Sequence, residues 1–335
     1  DAGGAFAKAA SFEIEGMVKD MLIQANRSAW GDGSGIVASV DSEAAGVVTL
    51  KNLSDSGTPT DINTHTGNRY IRVGDILDFF TTAGAAKLQG AEVTAKSVAN
   101  DTVTISGGTG AAPVSGDLVY LAQPSLGSPP GGAAMGLQGI VDDNTFLTTL
   151  QNISRTTYPI WKSQVINVGT NPSTPGTLTV KHLQRMEDML TDSGYGQDYT
   201  IWCHTSVRTA YLDLLTPDRR YQQPLQYDPG FKEDKGETGL SSGVNFNGHA
   251  VIAERDAPWQ QMMFLNKGVL KKFVLEDPHW VEDDGGGVLR LLPGKAAVYE
   301  GQVSWYYTIG VEAMGPNSLG ALRYINAAPD RGELN

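Results

Sequence analysis

Between residues 41 and 125 the chain changes period. Its apolar residues gather in short runs, Val47–Leu50, Ile76–Phe80, Ala91–Val98, Thr102–Ile105 and Leu118–Leu121, cut apart by Gly, Asn, Asp and Pro. Short β-rich runs bounded by turn formers mark strands, and Asn100-Asp101 between two alternating runs is a hairpin signal. No helical spacing interrupts these runs, so the strands are expected to pair with one another as a small antiparallel barrel of five or six strands. The segment also repeats itself: Val73-Gly74-Asp75-Ile76-Leu77 is echoed by Ser115-Gly116-Asp117-Leu118-Val119. The Pro- and Gly-rich stretch 124–132 is the exit from this unit.

The flanks obey other rules. Residues 1–10 (DAGGAFAKAA) are small and read as a flexible arm. Ile14, Met17, Val18, Met21, Leu22 and Ala25 then recur at helical spacing, with Ser11 as N-cap and Gly31–Gly35 as the stop. Such an apolar stripe must dock, either on its own body or on a neighbouring subunit. From residue 133 the pattern is mixed. Leu178, Leu183, Met186 and Leu190 mark a helix entered through Thr177 or Thr179 and stopped at Ser193-Gly194. A strand is expected over 198–203, and a second helix through Val207, Tyr211, Leu214 and Leu215, ended by Pro217. A polar stretch over 222–243 reads as a long loop. The strands 250–254, 262–265, 270–275, 288–292 and 298–311 follow. This part is α+β, and no βαβ alternation is visible in it.

Composition removes several classes of function. Cys203 is the one cysteine in 335 residues, so intramolecular disulfides and CxxC-type zinc sites are excluded. The net charge of −12 is spread along the chain and argues against a dedicated nucleic-acid binder, which carries a basic stripe. Glycine is abundant, at 40 residues against a usual ~7%, and charged residues are sparse, at 19% against ~25%. Both suit a chain rich in turns whose surface is covered by partners. No run is long and apolar enough for a membrane-spanning helix. The chain opens on Asp1 without Met or a signal-peptide h-region, so a processed end or a missing upstream segment is expected.

Most catalytic signatures are missing. There is no GxSxG elbow, HExxH pair or Walker loop, and Gly294-Lys295 lacks the flanking residues of a phosphate loop. Asp32-Gly33-Ser34-Gly35 lacks the alternating carboxylates of a calcium loop and reads as a structural turn. The histidines, His65, His182, His204, His249 and His279, show no ligand spacing. Cys203-His204 falls on opposite faces of a strand, so a buried thiol beside a helix-capping imidazole is expected rather than a dyad. The acidic groups Asp142-Asp143 and Glu282-Asp283-Asp284 are candidate paired carboxylates, with solvated turns as the simpler reading. Arg219-Arg220-Tyr221 is the one local basic cluster; phosphate binding is one reading and an ion pair with nearby Asp side chains the other. No catalytic, cofactor or metal site is therefore assigned.

Taken in order, these segments resemble the major capsid proteins of tailed bacteriophages, with their Hong Kong 97-type fold. Residues 26–35 (NRSAWGDGSG) look like the segment after the family's N-terminal arm. Residues 136–142 (GLQGIVD) and 158–162 (YPIWK) resemble the approach to its spine helix, here 178–193. Cys203 to Arg208, Tyr211 to Leu215 and Arg219-Arg220-Tyr221 look like the entry to the axial domain. Residues 246–256 and 263–266 are similar to the paired strands of the C-terminal half. The resemblance implies an arm and helix over 1–40, an E-loop region with an inserted barrel over 41–132, and a peripheral domain with the spine helix over 133–197. It further implies an axial domain over 198–295 and returning strands over 296–335.

The implied role is not enzymatic. It is self-assembly into pentamers and hexamers of an icosahedral shell around double-stranded DNA, built in the host bacterial cytoplasm and ending in the virion. The implied partners are copies of the chain, with scaffolding, maturation-protease, portal and decoration proteins, and no cofactor or membrane. Ile14, Met17, Met21, Arg219, Arg220 and Tyr221 are the expected assembly contacts. An encapsulin-like compartment shell and a secreted β-rich carbohydrate-active protein are the other readings.

Overall fold

The strand-rich segment closes on itself. The computed structural model describes residues 2–51, 67–121, 134–172, 174–193, 198–215, 244–282, 290–291, 299–312 and 315–327. A helix, α1 (Ala2–Trp30), leads into β1 (Ile36–Ala44), β2 (Val47–Lys51), β3 (Ile76–Phe80), β4 (Ala86–Ser97), β5 (Thr102–Gly110) and β6 (Leu118–Leu121). These strands form a closed barrel in the order β1-β2-β5-β4-β3-β6, antiparallel throughout. Val48, Leu50, Leu77, Phe79, Val93, Val103 and Val119 fill its interior.

Register shifts at Val40/Ser42, Leu77/Phe79 and Val93/Ala95 are irregularities of the bulge kind, which let short strands curl enough to close. At the end of β5, Gly110 has φ +138°, and a Cβ there would stand 2.1 Å from the Lys87 carbonyl oxygen, so only glycine fits. The echoed motif is one turn used twice. Asp75 accepts from the Arg72 amide at 2.7 Å, and Asp117 accepts from the Val114 amide at 2.8 Å. Each turn feeds one of the paired strands β3 and β6 into the barrel. The sequence pattern conceals β1, because Val37 to Val40 are buried without a break and show no alternation.

The rest of the chain builds a mixed sheet. Its elements are α2 (Leu137–Ile140), β7 (Thr149–Leu150), β8 (Ile153–Ser154), β9 (Gln164–Asn167), α3 (Val180–Asp192), β10 (Thr200–Cys203), α4 (Thr205–Leu215), β11 (Asn245–Phe246), β12 (His249–Ala253), β13 (Met262–Leu265), β14 (Leu270–Trp280), β15 (Arg290–Leu291), β16 (Tyr299–Glu300), β17 (Val303–Val311) and β18 (Gly320–Arg323). Six of them form one sheet in the order β11-β12-β10-β13-β18-β9. Strict alternation gives the sheet two apolar faces. Ile201, Cys203, Met262, Phe264 and Leu322 pack with Leu183, Met186 and Leu190 of α3 and with Val207 and Tyr211 of α4. Met263, Leu265 and Ala321 face the other way, toward Trp30, Ile140 and Val311. As the sequence predicts, α3 is capped by Thr179, whose side chain accepts from the His182 amide.

Two expectations are corrected. Residues 2–30 form one continuous helix, so the small residues read as a flexible arm are helical and Ser11 lies inside α1 rather than capping it. Alanine has the highest helix propensity, and smallness alone does not signal flexibility. A βαβ connection also exists: β10 and β12 pair in parallel, with α4 between them in the chain. The long stretch separating α4 from β12 hides this alternation in the sequence. Both α3 and α4 pack on one face, so the sheet is not doubly wound. The expected loop at 222–243, the exit at 124–132 and the stops Gly194 and Pro217 lie outside the described residues.

Candidate assembly surface

Two elements carry apolar side chains that their own chain leaves uncovered. The first is the middle of α1, from Phe12 to Leu22. Phe12 is 76% exposed and Leu22 54%, and Ile14 and Val18 are also exposed. Met17 and Met21 are half-buried. Among the described residues the helix is fastened to the body from Asp20 onward. Asp20 accepts from the Arg72 guanidinium at 2.5 Å, and the backbone carbonyl of Ala25 accepts from the Tyr307 hydroxyl at 3.2 Å.

The second element is the ribbon of β14 and β17, an antiparallel pair with no third strand among the described residues. At ~3.4 Å per residue the 11 residues of β14 reach about 37 Å. Residues 271–279 are exposed one after another, so β14 is open on both faces, whereas β17 half-buries Trp305, Tyr307 and Ile309 on the side turned to α1. Leu275 is 83% exposed, and Phe273, Val274 and Tyr306 are exposed as well. A lone two-stranded ribbon is at best marginally stable in water, so one this long and apolar calls for a covering surface.

Where α1 passes the ribbon they enclose a groove of about 380 Å³. Ala25 and Ala29 form one wall, Trp305, Tyr307 and Ile309 the other, and Leu137 and Leu270 also line it. The small alanines of the helix leave the space open. The Trp305 and Tyr307 rings lie 4.3 Å apart, and the Lys272 ammonium sits 4.5 Å from the Trp305 ring centre, a cation–π contact at the rim. Burial raises the Tyr307 hydroxyl pKa, so this group stays a neutral donor.

Buried charge locks the barrel and the connecting segments to the sheet. At the barrel joint, Arg69 donates to the Arg255 carbonyl at 2.7 Å, and Asn26 of α1 donates to Asp256 at 2.6 Å. The Arg27 guanidinium lies over the Tyr70 ring at 5.4 Å, and burial lowers its pKa. Below α2, Arg155 is fully buried and uses all five of its N–H groups. It donates to the carbonyls of Gly139, Ile140, Leu147 and Trp161 and to Asp142. Asp142 also accepts from Arg323 at 3.0 Å and from the amides of Asn144, Phe146 and Leu147. This carboxylate is therefore not in a solvated turn, as its sequence setting suggests. Two guanidiniums and three amides saturate it, which makes it a brace rather than an acid–base group.

The remaining candidates resolve simply. Cys203 is buried, and desolvation pushes its thiol up to about 12. His204 stands just before α4, and its Nδ1 lies 3.2 Å from the Ser206 amide as a helix cap. Asp32 accepts from the amide and hydroxyl of Ser34, a local turn. His182 contacts Thr179, His249 stacks on Tyr199, and His279 lies 3.7 Å from Glu276. Among the described residues no group of His, Cys, Asp and Glu could hold a metal ion. No described helix is long and apolar enough to cross a membrane. Arg219, Arg220 and Tyr221, His65, and Asp283 and Asp284 lie outside the described residues. Sequence reasoning missed Arg155 and Arg323. Nothing local marks a single arginine as the centre of a buried network.

No family model matches the chain, and no curated protein matches it. Among solved structures, the capsid asymmetric unit of cyanophage A-1(L) is similar at 18% identity and a TM-score of 0.40. The match covers 58% of this chain and 60% of that one. A likeness of that degree is distant, and it spans less than two thirds of the cyanophage chain.

Proposed function

We propose that this chain is the major capsid protein of a tailed bacteriophage, with a structural role and no catalytic step. Its copies form pentamers and hexamers, and these tile an icosahedral shell that encloses double-stranded DNA in the virion. The observation that carries the reading is the pairing of a 29-residue helix, bearing exposed apolar side chains between Phe12 and Leu22, with a ribbon whose strand β14 is exposed along residues 271–279. A monomer gains nothing by holding such surfaces in water. A subunit that touches several neighbours covers them, and many modest contacts then hold the shell together. The ordered resemblance of the sequence to Hong Kong 97-type subunits supplies the kind of assembly. The net charge of −12 adds that the shell encloses DNA without gripping it.

Negative-stain electron microscopy of the purified chain tests this reading. Closed shells, or rings of five and six, are the expected result. A chain that stays monomeric at high concentration contradicts it, and shells filled with enzyme rather than DNA would make this an encapsulin-like compartment instead.

A further inference from the structure

We infer that the groove between α1 and the ribbon is filled by the exposed row Ile14, Val18 and Leu22 of a second copy of this chain. The inference rests on the shell-forming reading and names the contact by which neighbours engage. Residues spaced four apart share one helix face, so these three form a straight row about 12 Å long at ~1.5 Å per residue. All three are exposed, and the groove is lined mainly by apolar side chains.

The row cannot fill the groove of its own molecule. Ala25 and Ala29, which form one wall, belong to the same unbroken helix, and a continuous helix does not fold back on itself. A row that fills this groove therefore comes from another copy of the chain.

Charge selects the same partner. Lys271 and Lys272 line the groove; Lys271 pairs with Glu312 at 3.3 Å, and Lys272 has no carboxylate partner among the described residues. With Asp20 already paired to Arg72, the helical turns that carry the row still hold Glu13 and Glu15 against Lys19 alone, so the incoming segment is net negative. Glu15 is solvent-exposed beside the row and pairs with Lys19 at 2.7 Å, a surface contact readily exchanged for a groove lysine.

A mixing experiment with full-length chains tests the pairing. One chain carries Val18→Asp and Leu22→Asp, which spoil the row at exposed positions and leave the groove intact. The other carries Lys271→Glu and Lys272→Glu, which reverse the rim at exposed positions and leave the row intact. Each alone is expected to lose at least tenfold in associated fraction by sedimentation, with an unchanged circular dichroism spectrum. Mixed, they regain a heterodimer, because one good row meets one good groove. Failure of the mixture to associate while the unmodified chain does so overturns the inference.

A second readout is independent of affinity. A Val18→Cys chain is mixed with a Lys271→Cys chain under oxidation, with Cys203 buried and protonated and so silent. A disulfide heterodimer in excess of both homodimers is expected. Its absence, or crosslinking to another segment, overturns the inference whatever particles are seen. Heterodimers without closed shells would retain the contact and remove the capsid reading, and shells without the crosslink would do the reverse.

Discussion

The barrel and the ribbon are both antiparallel β-structure built from comparable residues, yet they meet water differently. The barrel closes six strands, so it has no free edge, and its interior is filled by buried side chains. The ribbon pairs β14 with β17 and no other strand among the described residues, and its apolar residues Phe273, Leu275 and Tyr306 stay exposed. Closure makes a unit stable without help, whereas an open ribbon stores surface for a partner. In this chain the closed unit precedes the sheet and the open one extends from it, with Val311 at the ribbon's base buried in the sheet's second face.

Substitutions in the two regions should therefore separate folding from association. Removing the buried Asp142 brace, which belongs to neither region, has the largest effect. Asp142→Ala strands two buried guanidiniums and is expected to cost ~3–5 kcal/mol in a urea titration of the dissociated chain. Phe79→Ala, in the barrel interior, should cost a similar or slightly smaller ~3–5 kcal/mol on folding. Gly110→Ala forces a Cβ against the Lys87 carbonyl and should cost ~1–3 kcal/mol, read as an earlier thermal transition. Leu275→Ser should shift the same folding titration by less than ~0.5 kcal/mol, because its side chain is 83% exposed. Its effect should appear in assembly instead, as loss of particles on size exclusion. If Leu275→Ser destabilised the dissociated chain as strongly as Phe79→Ala, the contrast between the regions would collapse.

What the sequence made legible follows from these physics. β2, β4 and the helix α3 stand out because one face is buried and one is wet, which imprints a period on the residues, whereas β3 and β6 show as short apolar runs between turn formers. β1 is buried on both faces over Val37 to Val40, so the imprint is absent. The N-terminal ten residues misled because alanine and glycine are equally small, but only alanine favours helix. At the candidate surface, the stripe Ile14, Met17 and Met21 was visible from spacing, and so was the choice it faces between its own body and a neighbour. The ribbon wall of the groove was not. Trp305, Tyr307 and Lys272 come from strands paired only in three dimensions. Arg155 and Arg323 likewise meet at Asp142 through the fold alone.

Hydrogen exchange on the assembled particle against the dissociated chain tests the central claim most directly. The account predicts that residues 270–280, 303–311 and 12–22 exchange far more slowly in the particle, while the barrel strands exchange at the same rate in both. Equal exchange of the ribbon in the two states, or failure of the chain to form any particle, would contradict it.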